Sequence, residues 1–195
     1  MIRAAPTLPI ALLAATAAAA QALPGWDEAT LGGCLPAIEA GLPFDGAGLR
    51  PLSRPVIAPE HAEWPARSWT DAAGRFTVTM IEFPSRTGGA RRVCDVTPVR
   101  YVPGETAIDV FDRFLDWGSA AAASGRYAFQ DTHRHHADPA TLLGALRATA
   151  PNPRGCIVSV SLFAMPYEGV LSFSAAEEAG DAPCGGPSLL DEVAR

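Results

Sequence analysis

Between Gly155 and Glu177 apolar and polar side chains alternate in two runs. Val158, Val160 and Leu162 fall on one side of an extended chain with Ser159 and Ser161 on the other, and Leu171 and Phe173 repeat the pattern against Ser172 and Ser174. Pro166, Tyr167, Glu168 and Gly169 separate the runs, so the stretch predicts a hairpin of two half-buried strands. Cys156 opens the first arm and Cys184 lies just past the second. Antiparallel pairing brings both to one end of the ladder, where a disulfide can close it.

The same reading applied upstream gives three more strands and two helices. Phe76, Val78 and Met80 alternate with Thr77, Thr79 and Ile81, and residues 91–101 return with Val93, Val99 and Tyr101 set against Cys94 and Val96. With a short strand at 68–70 and turns at 71–74 and 85–90, these predict a three-stranded meander. Residues 26–41 carry Leu31, Cys34, Leu35 and Ile38 at helical spacing, but Gly32, Gly33 and Pro36 predict a short or broken helix. A helix starting at Thr106, with Asp109 in a capping-box position, places Ile108, Phe111 and Leu115 on one stripe beside Val110, Phe114 and Trp117. This is the expected core helix, with Gly125 as its stop.

Residues 126–133 predict a further strand. Asp138 and Pro139 then carry the signature of a helix start, and Leu142, Leu143 and Leu146 suit a short helix ending before Pro151. The tail beyond Cys184 reads as mobile, with a single turn at 189–193. Residues 42–67, interrupted by Pro43, Pro51, Pro55, Pro59 and Pro65, read as a Pro/Gly-rich strap. The expectation is an α+β fold over residues 23–195: an antiparallel sheet of about five or six strands, two or three helices packed on one face, and two disulfides.

The N-terminus bears on where those disulfides form. Arg3 is followed by an almost wholly apolar stretch from Leu8 to Ala20 and a small-x-small sequence at Ala20, Gln21 and Ala22. These are the parts of a secretory signal peptide covering residues 1–22. The apolar run is about 13 residues against the roughly 20 that span a bilayer, so no membrane span is expected after cleavage. Cleavage takes 22 of the 195 residues and leaves 173, enough for one core. Losing Arg3 moves the formal charge from −6 to −7, which argues against nucleic acid or an anionic membrane as partner.

Four cysteines in an exported chain indicate two disulfides. Locality favours Cys156 with Cys184, leaving Cys34 with Cys94. All 15 basic residues are arginine, which excludes Schiff-base chemistry, a phosphate-loop lysine and a Ser/Lys dyad. No G-x-S-x-G elbow is present, and the acidic pairs Glu177/Glu178 and Asp191/Glu192 read as solvated.

Two groups have chemical character. Asp131, His133, His135 and His136 cluster in one segment, and extended imidazoles at 133 and 135 point to one side, where they can share Zn²⁺ or Cu²⁺ with Asp131 or the distant His61. Arg134 between them opposes a cation. Trp64 and Trp69 either anchor the strap or line a ligand groove. The sequence therefore favours a periplasmic or secreted protein that binds a protein or small-molecule partner in the envelope over an enzyme, with no cofactor expected. Metal binding through the histidines and a hydrolase with an unfamiliar site are the alternatives.

Overall fold

A computed structural model describes residues 23–46, 48–84, 89–134, 140–178 and 184–186, with backbone alone for 131–134. The signal-peptide segment, the histidines at 135 and 136, and the turn expected at 189–193 lie outside the described residues.

Eight strands form one antiparallel sheet: β1 (Arg50–Pro51), β2 (Ala66–Thr70), β3 (Phe76–Pro84), β4 (Ala90–Pro98), β5 (Tyr127–Arg134), β6 (Leu142–Pro151), β7 (Ile157–Met165) and β8 (Val170–Glu178). Their order across the sheet is β1-β2-β3-β4-β8-β7-β6-β5. The chain lays down β1 to β4 as neighbours and then crosses to the far edge. From there it zigzags back until β8 pairs with β4. A helix of 20 residues, Gly104–Ala123, makes the crossing.

Two shorter helices, α1 (Trp26–Ala29) and α2 (Leu35–Glu39), precede the sheet, so the crossing helix is α3. A π-helical turn at Thr30–Cys34 joins α1 to α2. Pro36 has no N–H to give to an i−4 carbonyl, and the helix widens just ahead of it. Gly33 is required by packing: a Cβ there would lie 2.8 Å from the Phe44 ring. That missing side chain lets the buried Phe44 close over the helix and meet Trp69 edge-on at 5.1 Å between centroids.

One face of the sheet is the core. Phe76, Val78 and Met80 of β3, Val160 and Leu162 of β7 and Phe173 of β8 are all buried there. α3 covers β5, β6 and β7, while α2 and the π turn cover β4 and its neighbours. Val110, Phe111 and Phe114 form the buried stripe of α3. Phe111→Ala should cost about 3–5 kcal/mol, read as a lowered urea midpoint with an unchanged slope.

The expected fold class needs correction on two counts. The sheet has eight strands rather than five or six, and one long helix packs on it rather than two or three. Leu142, Leu143 and Leu146 belong to β6, not to a helix after Pro139. The strand buries Leu142, Gly144 and Leu146 in alternation, and β5 and β7 satisfy its backbone on both sides. Gly144 carries no apolar side chain, so period 2 was invisible there. Its bareness is what brings α3 close, because a Cβ would stand 2.9 Å from the Phe114 ring. The other strand missed, β1, has two residues and pairs only with β2.

α3 also starts earlier than predicted. Pro103 occupies its N-cap and no side chain caps it, so the Thr106/Asp109 box does not form. Thr106 is buried instead. The helix ends as expected, with Gly125 at φ 74 just past it.

Candidate binding groove

Four polar or apolar assemblies outside the core compete as the functional site. The first is sealed. Glu177 is 1% exposed, and its Oε1 accepts hydrogen bonds from Arg92 Nη2 at 2.9 Å and Asn152 Nδ2 at 2.9 Å. Oε2 accepts from the Arg92 backbone N–H at 3.0 Å, and Arg154 Nε stands 3.1 Å from Oε1. Arg92 donates onward to the Leu42 carbonyl, Asn152 to the Ile38 carbonyl and Arg154 to the Ala90 carbonyl. The network joins β4, β8, the β6–β7 turn and the end of α2. Glu177 and Arg92 at its centre have no exposed side-chain surface, so its role is structural. Glu177, read from sequence as solvated, is thus corrected to the centre of a buried cluster.

The second is the sheet face opposite the helices. Register places Thr79, Asp95, Ser174 and Ser161 in one row across β3, β4, β8 and β7. Burial raises the Asp95 carboxyl above its ordinary range, and a hydrogen bond from the Ser174 hydroxyl works against that rise. A carboxyl raised by folding confers stability in full below the unfolded range, and loses it as pH climbs through the raised value. Asp95→Asn is therefore expected to raise stability relative to the parent at pH 7 and to lose that advantage near pH 3. Urea midpoints at the two pH values check the sign.

The third is a cleft of about 540 Å³ between the N-terminal helices and the β2–β3 turn, bordered by Glu28, Asp45 and Asp71. Burial pushes the Asp71 carboxyl up, but Arg75 outweighs it and the group is held below its usual range. Arg75 gives its backbone N–H to Oδ1 at 2.5 Å and its Nε to Oδ2 at 2.6 Å. Asp71 is consumed in shaping the β2–β3 turn, where Gly74 takes φ 66.

The fourth is apolar and open. Val99, Tyr101, Ile108, Tyr167 and Val170 are exposed large hydrophobic residues, and all lie at the end of the molecule where β4, α3 and the β7–β8 turn meet. Three neighbouring clefts lie there. One of about 330 Å³ lies between Tyr101, Ile108, Pro166 and Tyr167. The next, about 460 Å³, shares Tyr101 and extends to Thr97 and Pro98. The last, about 450 Å³, shares Thr97 and Pro98 and reaches Leu52 and Val56 of the strap. Sharing Tyr101 and then Thr97 and Pro98, the three succeed one another around the end of the sheet and are treated together as one groove. Contiguous exposed apolar surface of this kind marks interaction sites far more often than scattered residues do.

The predicted site residues distribute differently. The disulfides are Cys34–Cys94 and Cys156–Cys184, with Cα–Cα distances of 5.6 and 4.7 Å. Trp69 is 8% exposed and pairs in register with Val78, on the core face. Trp64 packs on Phe83 at 5.9 Å and stacks on His61 at 4.0 Å. Phe83 is an odd number of residues from Val78 along β3, so the two tryptophans sit on opposite faces and do not share a groove. Asp131 and His133 lie in the edge strand β5, in register with Ala145 and Leu143. Their side chains, and His135 and His136, are outside the described residues. Among the described residues no group of three or more His, Cys, Asp or Glu is arranged to hold a metal ion, and no helix is long and apolar enough to cross a membrane.

Sequence reading missed the groove because its residues come from well-separated segments, and each of Tyr101, Ile108 and Tyr167 looked locally like a strand, helix or turn residue. Comparison with known protein families, with curated proteins and with solved structures finds no match for this chain.

Proposed function

We propose that this chain is exported to the periplasm or the cell exterior, loses residues 1–22, and acts there as a binding or accessory protein through the groove at the Tyr101/Tyr167 end. The observation that carries the reading is the gathering of exposed apolar side chains along neighbouring clefts, on a chain whose other large apolar residues are mostly buried. The two disulfides support export, since such bonds persist in oxidising compartments. The groove is preformed by its own contacts, because the bare Gly169 admits the Tyr101 ring and the start of α3 is seated on Pro166. Binding to a preformed surface costs less ordering entropy than binding to one that must be assembled.

The test is site-specific photo-crosslinking in the producing cell. A benzophenone side chain at position 167 should give a discrete adduct in the envelope or culture medium. The same label at Arg126, at the opposite end of α3, should give none. Equal labelling at both positions, or none at either, contradicts the reading.

A further inference from the structure

The groove's own chemistry narrows what it holds. We propose that it receives an extended, proline-rich peptide segment of a partner protein, with an arginine of that segment drawn to the exposed carboxylates Glu105 and Glu168 of adjoining clefts. This rests on the groove being the binding site, as argued above.

Shape comes first. Three depressions that share lining residues from one to the next, each open to solvent, suit a chain lying across them better than a compact small molecule. A polyproline II segment suits such a site because it is already extended and loses little conformational freedom on docking. Proline-rich segments are recognised by grooves lined with aromatic rings, and here Tyr101 and Tyr167 are 66% and 72% exposed on either side of the end cleft.

The aromatic lining is also prepared in advance. Gly169, at φ 67, has no side chain, and the Tyr101 ring occupies the place a Cβ would take. Any other residue at 169 would displace the ring. The Val102 backbone N–H bonds the Gly169 carbonyl at 3.2 Å, tying the loop to the turn. At Gly104 a Cβ would lie 3.0 Å from the Pro166 carbonyl oxygen, so the start of α3 is seated directly on the same turn. A rigid aromatic seat loses little entropy when it is filled.

Charge gives the peptide its sign and its direction. Glu105 borders the end cleft and Glu168 the middle one, both exposed, and neither makes an ion pair among the described residues. They favour a guanidinium at the α3 end of the groove. Arg100 lines the middle cleft and disfavours a second cation there. A membrane surface fits less well: the site is a set of depressions bordered by Glu105 and Glu168, on a chain whose formal charge is −6 and becomes −7 once Arg3 is removed.

The experiment is a ¹⁵N-detected NMR titration of the oxidised protein with acetyl-Arg-Pro-Leu-Pro-Pro-Leu-Pro-amide. Saturable shifts confined to residues 97–108 and 166–172 are expected, with a Kd between about 10 µM and 1 mM. Tyr167→Ala should weaken binding about tenfold and Tyr167→Phe little, since the ring and not the hydroxyl forms the seat. Glu168→Gln should weaken it by about threefold and flatten its salt dependence. Both positions are exposed in a turn, so the variants fold. Absence of saturable shifts at about 5 mM peptide overturns the proposal, as does equal affinity for the version with every proline replaced by alanine. So do shifts at these residues that depend on protein concentration alone, which mean a second copy, or that arise with phosphatidylglycerol vesicles. A crosslink at position 167 in cells together with no peptide binding would leave the groove as the site and remove this ligand class.

Discussion

Glu177→Ala is expected to cost about 3–5 kcal/mol, as much as emptying the core at Phe111. The carboxylate is fully buried and answers two arginines, an asparagine and a backbone N–H at once. Removing it leaves Arg92, also fully buried, without the carboxylate that accepts from its Nη2 and its backbone N–H, in a medium that solvates a cation poorly. The loss propagates, because Arg92 and Asn152 hold the carbonyls of Leu42 and Ile38 and so fix the N-terminal segment to the sheet. The native worth of the pair is smaller than this cost, since desolvating both charges offsets most of their attraction. Arg92→Met combined with Glu177→Leu should therefore be less damaging than Glu177→Ala alone. Urea unfolding of the three proteins checks both statements. A loss below about 1 kcal/mol for Glu177→Ala would show that the network adds little.

Opening the Cys34–Cys94 disulfide by a double serine substitution should cost about 4 kcal/mol, and opening Cys156–Cys184 about 3.5 kcal/mol. The difference follows from the loops closed, with sequence separations of 60 and 28. A longer loop restricts the unfolded chain more. The first bridge has a second consequence, because it fastens a helical segment weakened by Gly32, Gly33 and the π turn to the central strand β4. Its loss should expose amides of residues 26–40 to hydrogen exchange ahead of the sheet. The second bridge closes the hairpin whose ladder already holds, so its loss should free mainly the chain near Cys184. Midpoints in urea and residue-resolved exchange measure the two effects. Equal local protection in both variants would contradict the assignment of roles.

The hairpin of β7 and β8 was legible because its alternation is uninterrupted and both faces differ in polarity. The β2–β3–β4 meander and α3 were legible for the same reason, each having the period of its own geometry. β6 was not, because Leu142, Leu143 and Leu146 satisfy a helical spacing while Gly144, the residue that would have marked period 2, is silent in apolarity. Its strand state is decided by neighbours on both sides, and that information is tertiary. Glu177 was misread for a related reason. A carboxylate reads as solvated until its arginines are placed, and Arg92 is 85 residues away in sequence. The groove was the least legible feature. Tyr101, Ile108 and Tyr167 come together only once α3 has carried the chain across the sheet and β8 has returned beside β4.

The proposed function requires a chain that is exported, trimmed and cross-linked before it meets a partner. Intact mass of the protein isolated from its producing cell, alkylated without prior reduction, tests this most directly. The predicted result is a 173-residue chain beginning at Leu23, four hydrogens lighter than the reduced sequence and carrying no alkyl group. A chain beginning at Met1 with all four sulfurs alkylated would contradict it.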